Sequence, residues 1–291
     1  MLQLEYKFNC IHIYIYKMTA TVNVKVFTMV KDEVDIIEDW IIYHGNLFGF
    51  NNIYILDNFS TDGTWEKMNE FSDKIKIFRV PDYRKKGEYM RGLINQFCEE
   101  GSIAFPIDID EFIVFYDKVN NRVLVDPTLI NNYMNSLPKH DVYKANYINV
   151  RPTLREGHAK ITHEVEFGIY DNYGALAKSF FNTKYYKGNI DHGNHINNNN
   201  YYLTNICLVH YHCRNLKQMQ KKVFNNVIGL GYKNNIGWLR NLIRVNPNCP
   251  GNHHVKHLIN MIQGTYVMDT LTDFTGAANI SGLKDFFTSR L

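Results

Sequence analysis

The sequence predicts an α/β fold with a mostly parallel sheet, helices on both faces of that sheet, and antiparallel additions in the C-terminal half. Two observations predict it. In the first third of the chain, short β-branched runs alternate with segments whose apolar residues recur at helical spacing, and the loops between them are short. This alternation is typical of parallel strands that are joined by helices. After residue 140, apolar runs follow one another with no helical pattern between them, which favours antiparallel strands.

The elements of the first half follow in order from these patterns. The first helix has apolar residues at helical spacing from Ile36 to Phe48, and Gly49 ends it. A second helix passes through Trp65 and Phe71, and a third covers residues 88–99. Ser60, Thr61 and Asp62 are candidate caps of the second helix. The predicted strands cover residues 22–30, 52–56, 75–80 and 102–107.

The second half contains one clear turn and two helices. Asn120 and Asn121 have the composition of a hairpin turn. Helices are predicted over residues 127–137 and 215–229, the latter capped by Asn215. The predicted strands cover residues 141–150, 161–168, 176–182 and 202–210.

Composition excludes several classes of protein. The chain has 291 residues of which 45% are hydrophobic, so it can bury a sizeable core. Its 32 basic and 29 acidic residues leave a net charge of +3, which argues against nucleic acid as a partner. The five cysteines contain no CxxC pair, and no apolar run is long enough for a transmembrane helix, so we expect a cytoplasmic protein. The many Asn, Ile, Tyr and Lys residues fit an AT-rich genome, a large virus among others.

Three carboxylates lie close together in FPIDIDEF, residues 105–112. Asp108, Asp110 and Glu111 follow an apolar strand, and like charges at this spacing repel unless a positive charge lies between them. Asp108 and Asp110 point the same way in an extended segment, and carboxylate oxygens are suitable ligands for Mg²⁺ or Mn²⁺. The sequence therefore predicts a metal site, with a solvated acidic turn as the alternative.

Two histidines provide a further ligand for that site. His210 and His212 flank a tyrosine in LVHYHC, at the end of a predicted strand, so their imidazoles share a face. Either one can complete the site of Asp110, and the choice stays open. The ends of the other strands add Lys31 to Glu33 and Asp57 to Asp62 to the same edge of the sheet, where parallel sheets bind their ligands.

The stretch VFTMVKDEVDIIEDWIIYHGNLFGFNNIYILDNFSTDGT, followed by FPIDIDEFI, resembles glycosyltransferases of the GT-A fold. It is similar to family 2 and, more closely, to the family 92 or DUF23-like group, and the strong part covers residues 24–115. KSFFN at 178–182 and HYH at 210–212 are weaker signals of that group. The resemblance implies a Rossmann-like GT-A domain over residues 18–291 after a flexible extension at 1–17. Its expected parts are a nucleotide-sugar half at 18–116, an acceptor-side half at 117–235 and a helical tail at 236–291.

The resemblance also implies an activity, namely transfer of a sugar from a nucleoside diphosphate sugar to a hydroxyl of a glycan or protein acceptor. UDP is the expected nucleotide by analogy. Asp57 would bind the base or ribose, and Lys31, Asp32 and Glu33 would line the same pocket. For Asp57, a turn that caps the next helix is the alternative.

The diphosphate of the donor would be neutralised by a Mn²⁺ or Mg²⁺ ion that Asp108 and Asp110 hold. One of Arg84, Lys85 and Lys86, or else Lys178, would offset the remaining negative charge, with a solvated charge run as the alternative for any one of them. An inverting reaction needs a carboxylate base near the acceptor hydroxyl. The candidates for this base are Asp191 in NIDHGNH, which we favour, and Glu164 and Glu166 in THEVEFG.

Three other functions are compatible with parts of the sequence. A haloacid-dehalogenase-type phosphatase also places D-x-D after an apolar strand, but Phe112 stands where it would have Thr or Val. A GT-A scaffold without catalysis is the second. The third is a zinc-stabilised binding module, although its potential ligands match no standard zinc spacing. These ligands are His210, His212, Cys213, Cys249, His253, His254 and His257.

Overall fold

The computed structural model describes residues 22–150, 160–196, 200–249, 251–263 and 276–290. The strands are β1 (Val24–Val30), β2 (Ile53–Asp57), β3 (Lys76–Arg79), β4 (Ile103–Pro106), β5 (Glu111–Asp117), β6 (Arg122–Leu124), β7 (Val142–Asn149), β8 (Phe167–Asp171), β9 (Lys178–Asn182), β10 (Tyr201–His210) and β11 (Ala278–Asn279). The helices are α1 (Ile37–Phe48), α2 (Thr64–Asn69), α3 (Lys86–Phe97), α4 (Pro127–Ser136), α5 (Ile161–Glu164), α6 (Leu216–Gly229), α7 (Ile236–Val245), α8 (Asn252–Gln263) and α9 (Ser281–Thr288). The extension predicted at residues 1–17 lies outside the described residues.

The first half forms the predicted parallel sheet. Its four strands pair in the order β4-β1-β2-β3, all parallel. Every residue of β1 is buried, because helices cover both faces of the sheet. Trp40 and Ile41 of α1 belong to the core on one face, and Met90 and Leu93 of α3 belong to the core on the other. The prediction of an α/β fold is thus confirmed.

The rest of the chain differs from the predicted antiparallel additions, because six strands from β5 onward close into a ring. Their order is β10-β5-β6-β11-β8-β7, and β10 pairs with β7 to complete the circle. Two pairs in the ring, β10 with β7 and β11 with β6, are parallel. The predicted antiparallel addition to the open sheet is therefore confirmed for β9, which pairs antiparallel with β4, whereas the other six strands form a closed ring of mixed strand direction that was not predicted.

Strand β7 explains how the ring and the parallel sheet join. Its first part pairs with β9, its last part pairs with β8, and its other edge pairs with β10. Strand β9 also pairs with β4 of the parallel sheet. The parallel sheet and the ring are therefore joined through β9, which pairs with β4 of the sheet and with β7 of the ring.

Two local predictions are corrected by the structure. Residues 161–164 form the short helix α5, and strand β8 begins only at Phe167. The alternating pattern of this segment fits a strand, but its Thr162 side chain donates a hydrogen bond to buried Asp39 of α1, a contact that no local pattern encodes. In addition, Gly63, with φ of 100°, takes the N-cap position of α2, while the side chain of the predicted cap Asp62, one residue earlier, accepts from the N–H of Thr64 at 3.0 Å.

The boundaries of the predicted domain parts stay a prediction. Within the predicted helical tail, residues 278–279 form β11 and join the ring. In the described part of the chain, no helix combines the length and the apolar composition needed to cross a membrane.

Candidate active site

Helix α1 holds the start of β5, which directly follows the acidic segment. The indole of Trp40 donates to the backbone carbonyl of Glu111 at 3.0 Å, and the Tyr43 hydroxyl donates to that of Ile113 at 2.6 Å. The ring of His44 accepts from the N–H of Ile113 at 3.3 Å. These three side chains share a helical face because they lie three and four residues apart. The helix motif W-x-x-Y-H therefore positions the D-x-D-E-F segment.

A cavity of about 1330 Å³ opens at the carboxyl ends of β1 and β4, as expected for a parallel sheet. Side chains from both halves of the chain line it. Charged and imidazole groups of its wall include Lys31, Glu33, Arg84, Lys86, Asp108, Asp110, Glu111, Asp171, Lys178, His210, His212, Lys222, His254 and His257.

Lysine side chains neutralise the first carboxylate of the acidic segment. Lys86 binds Oδ1 of Asp108, while Lys178 lies 2.8 Å from Oδ2 of Asp108 and 3.0 Å from Oε1 of Glu111. Burial would raise the pKa of Asp108, but the charges of Lys178 and Lys86 lower it well below its usual range. For Glu111 burial prevails, so its pKa is raised although Lys178 opposes the change. The repulsion within FPIDIDEF is thus relieved by lysines at Asp108.

Asp110, His210 and His212 form a candidate metal centre. One ligand atom from each lies within 4.8 Å of the other two. Nδ1 of His210 contacts Oδ1 of Asn149 at 3.0 Å, which assigns the proton to Nδ1 and leaves Nε2 as a ligand. Nδ1 of His212 lies 3.3 Å from the Lys222 ammonium, which also binds Asp110, whereas Nε2 of His212 is buried and has no hydrogen-bond partner among the described residues. One carboxylate and two imidazoles therefore fit a Mn²⁺ or Zn²⁺ ion, and both histidines of HYH contribute.

The candidate metal ligands Asp110 and His212 are also close to a lysine from α6. The ammonium of Lys222 binds Oδ2 of Asp110 and lies 3.3 Å from Nδ1 of His212. Burial would raise the pKa of Asp110, but the charge of Lys222, followed by His210, lowers it well below its usual range. Burial and the Lys222 charge lower the pKa of His212, so its ring is neutral and keeps a lone pair for a metal.

Of the residues predicted to bind the nucleoside, Lys31 and Glu33 line the cavity. Lys31 donates to the backbone carbonyls of Asn58 and Phe59 at 2.9 and 3.1 Å. Glu33 is buried and paired with Arg214 of the segment before α6. The arginine was missed by the sequence reasoning, because no motif marks it.

Asp57 and Asp32 lie beside the cavity and do not belong to its described lining. Asp57 is fully buried, accepts from the N–H of Ser60 at 3.1 Å and pairs with Arg79 at 3.0 Å. Asp32 accepts from the N–H of Thr61 at 2.7 Å. Both carboxylates thus stabilise the loop after β2, which fits the alternative of a turn-forming Asp57.

The basic residues that were predicted to neutralise the diphosphate differ in whether they line the cavity. Arg84 lines the cavity, but its guanidinium is paired with neighbouring Asp82 at 3.0 Å. Lys85 lies in the short 3₁₀ turn before α3 and outside the described lining. Lys178 and Lys86 extend into the cavity, where both bind Asp108.

The three predicted base residues are outside the described lining of the cavity. Glu166 pairs with Lys284 of α9, and Glu164 accepts from the N–H of Lys160 at 2.9 Å. Asp191 accepts from the N–H of His195 at 2.7 Å, in a loop whose neighbouring residues do line the cavity.

Asp171, at the end of β8, is a lining carboxylate that the sequence reasoning missed. Its Oδ2 accepts from Nδ2 of Asn149 at 2.6 Å. Asn149 in turn accepts from His210, whose other ring nitrogen is 3.6 Å from Asp110. A hydrogen-bonded chain therefore connects Asp171 to the candidate metal centre.

No protein-family model and no curated protein sequence matches the chain. Among solved structures, it is similar to residues 1–349 of TarS from S. aureus, with a TM-score of 0.36, 9% identity, and coverage of 87% of this chain and 74% of that one. The same TarS fragment in complex with UDP matches with a TM-score of 0.36 and 10% identity, at the same coverage. A mannose-1-phosphate geranyltransferase from Thermus thermophilus matches with a TM-score of 0.30 and 9% identity, over 81% of this chain and 68% of that one. At TM-scores below 0.5 these likenesses carry no functional argument, and no residue role is transferred from them.

Proposed function

We propose that this chain is a metal-dependent glycosyltransferase that moves a sugar from a nucleoside diphosphate sugar to an acceptor hydroxyl. One observation carries the proposal. Asp110, His210 and His212 form a metal-type donor set in a large cavity at the carboxyl ends of parallel strands, directly beside Asp108 and its two lysines. The resemblance of the D-N-x-S-x-D-G and D-x-D-E-F segments to GT-A enzymes supports the same function, with UDP as the first nucleotide to test.

The charge balance of the site favours dependence on a metal. Three carboxylates, those of Asp108, Asp110 and Glu111, meet three ammonium groups, from Lys86, Lys178 and Lys222. The cavity wall is therefore close to neutral at this place, although a diphosphate needs positive charge. A bound divalent cation would supply that charge and stabilise the departing nucleoside diphosphate.

The size of the cavity fits two substrates. Pockets for a single small ligand are about 300–1,000 Å³, whereas this cavity measures about 1330 Å³. A nucleotide sugar and part of an acceptor therefore have room together. The apolar side chains of Tyr173 and Leu176, which line the cavity and are exposed, offer a surface for the acceptor.

For the inverting reaction, we assign the base to a carboxylate that lines the cavity. Asp171 meets this condition, and its Oδ1 has no hydrogen bond among the bonds described for this side chain. Asp191 remains the alternative, because its loop borders the cavity at His192 and Gly193. The base would take the proton of the acceptor hydroxyl as the oxygen attacks the sugar carbon.

Isothermal calorimetry with UDP and then GDP, each with and without Mn²⁺, tests the proposal. The wild type should bind one of the two nucleotides tightly, and only in the presence of Mn²⁺. The Asp110→Asn variant should bind neither nucleotide tightly, with or without Mn²⁺. Lys221→Met is a matched control, since Lys221 is on the same helix as Lys222 and pairs with Asp62 outside the metal centre. Absence of nucleotide binding by the folded wild type would refute the donor site.

A zinc-stabilised binding module is the second candidate function. One carboxylate and two imidazoles also bind zinc, and the rings of His254 and His257 from α8 lie 5.1 and 5.5 Å from that of His212. Metal analysis of the purified protein separates the two functions. Stoichiometric zinc whose removal unfolds the chain, together with no nucleotide binding, favours the module.

A further inference from the structure

Lys222 occupies the position at which a cation would meet Asp110. Its side chain is only 13% exposed, and its ammonium binds Oδ2 of Asp110. The same ammonium is 3.3 Å from Nδ1 of His212. The lysine therefore contacts two of the three candidate metal ligands.

We propose that Lys222 is an internal competitor of the divalent cation. Its ammonium holds Asp110 and His212 while the centre is without metal, and metal binding displaces it into the cavity, where it contacts the diphosphate of the donor. The second step rests on the proposed function. The first step concerns only the metal and is independent of any nucleotide.

The Lys222 ammonium and a divalent cation compete for Asp110 because both are positively charged. A divalent cation on Asp110 and the Lys222 ammonium would be like charges a few ångströms apart in a site that is largely shielded from water, where their repulsion is strong. The ammonium is carried on a flexible chain of four methylene groups, so it can move away without movement of the backbone. When the donor is also bound, the displaced ammonium gains a new partner, because a phosphate group is an excellent acceptor for lysine.

Helix α6 is held in place independently of Lys222. Asn225 donates to Asp32 at 3.1 Å, and the Tyr83 hydroxyl donates to Asn226 at 3.2 Å. Lys221 pairs with Asp62 at 2.5 Å. Because these contacts anchor the helix on both sides of residue 222, displacement of the ammonium is expected to be a rotation of one side chain.

Mn²⁺ binding followed by electron paramagnetic resonance, without nucleotide, tests the competition. Lys222→Met and Lys222→Gln should bind Mn²⁺ at least ~10-fold more tightly than the wild type, because the competing charge is gone. Lys222→Arg keeps the charge and should bind as the wild type does. Lys221→Met removes a charge from the adjacent residue and should also leave the affinity unchanged. With Mn²⁺ bound, Lys222→Met should bind UDP ~10-fold more weakly, which corresponds to the loss of one phosphate contact.

The outcomes separate this proposal from the proposed function. Wild-type Mn²⁺ binding that depends on Asp110 but is unchanged or weakened in both Lys222→Met and Lys222→Gln overturns the role of Lys222 and leaves the metal centre intact. Absence of Mn²⁺ binding in every variant overturns the metal centre and this proposal together. If both neutral variants fail to fold, ¹⁵N NMR of the Lys222 ammonium in the wild type decides, since the proposal requires its signal to shift when Zn²⁺ is added.

Discussion

The ammonium of Lys178 lies between two carboxylates, 2.8 Å from Asp108 and 3.0 Å from Glu111. Lys178 and Glu111 are both almost inaccessible to water, each with a side chain that is 1% exposed. Burial alone would lower the pKa of Lys178, but these two carboxylates raise it well above its usual value. One lysine from β9 therefore stabilises the acidic segment between β4 and β5.

Replacement of Lys178 by Met should lower the free energy of unfolding by about 3 kcal/mol, because the buried carboxylate of Glu111 and the partly exposed carboxylate of Asp108 lose their common partner. Urea denaturation at pH 7.5 measures the change. Lys184→Met is the matched control, since Lys184 is exposed and lies 4.0 Å from an exposed Glu100; its stability should stay nearly the same. Equal stability of the two variants would show that the ion pairs of Lys178 contribute nothing to the free energy of unfolding.

His44 should make the fold sensitive to acid. Its Nδ1 donates to the carbonyl of Trp40, its Nε2 accepts from Ile113, and burial lowers its pKa to about 3. Because the pKa in the unfolded chain is about 6.5, this stabilisation is complete above pH 6.5 and is lost as the pH falls toward 3. From pH 6.5 to 5 the loss is about 2 kcal/mol.

Denaturant unfolding of the wild type and of His44→Gln at pH 7.5 and pH 5 tests this dependence. The glutamine does not titrate, so the difference between the two proteins should shrink by that amount at the lower pH. Parallel pH profiles would mean that His44 is protonated without cost in the folded state.

Gly87 is required where α3 approaches the loop around Asp191. A methyl group there would lie 2.2 Å from the carbonyl oxygen of Ile190, so Gly87→Ala should cost about 2 kcal/mol of stability. Gly92 of the same helix has nothing within 4 Å of such a methyl, and Gly92→Ala should gain up to about 1 kcal/mol through helix propensity. Thermal unfolding of the two variants should therefore shift in opposite directions, and a stabilised Gly87→Ala would contradict the close approach.

Asp171→Asn and Asp191→Asn distinguish the two candidate bases. If Asp171 is the base, its variant should lose about 100-fold or more in kcat, with an unchanged KM for the donor. Asp191→Asn should then lose less than about 10-fold in kcat, since Asp191 is outside the described lining of the cavity and its carboxylate already accepts from the N–H of His195. Steady-state sugar transfer measures both, and the reverse order would assign the base to Asp191.

Local patterns determined much of this protein. Alternation of strands and helices predicted the parallel sheet, and the Asn215 cap of α6 was predicted from its residue type and is confirmed by its hydrogen bond with Gln218 at 2.8 Å. The positions of Asp108 and Asp110 after the end of a strand were predicted from the apolar run that precedes them. These features depend on residues within a few positions of one another, so the sequence alone contains their signal.

Only the tertiary structure decided what surrounds the acidic segment. Its cations Lys86, Lys178 and Lys222 come from positions 22, 70 and 112 residues away from the carboxylates that they bind. The closed ring depends likewise on β7, whose edges pair with three strands that are distant along the chain. Pairing at such distances is set by the packing of the whole fold, because no periodicity or local motif specifies which lysine meets which carboxylate.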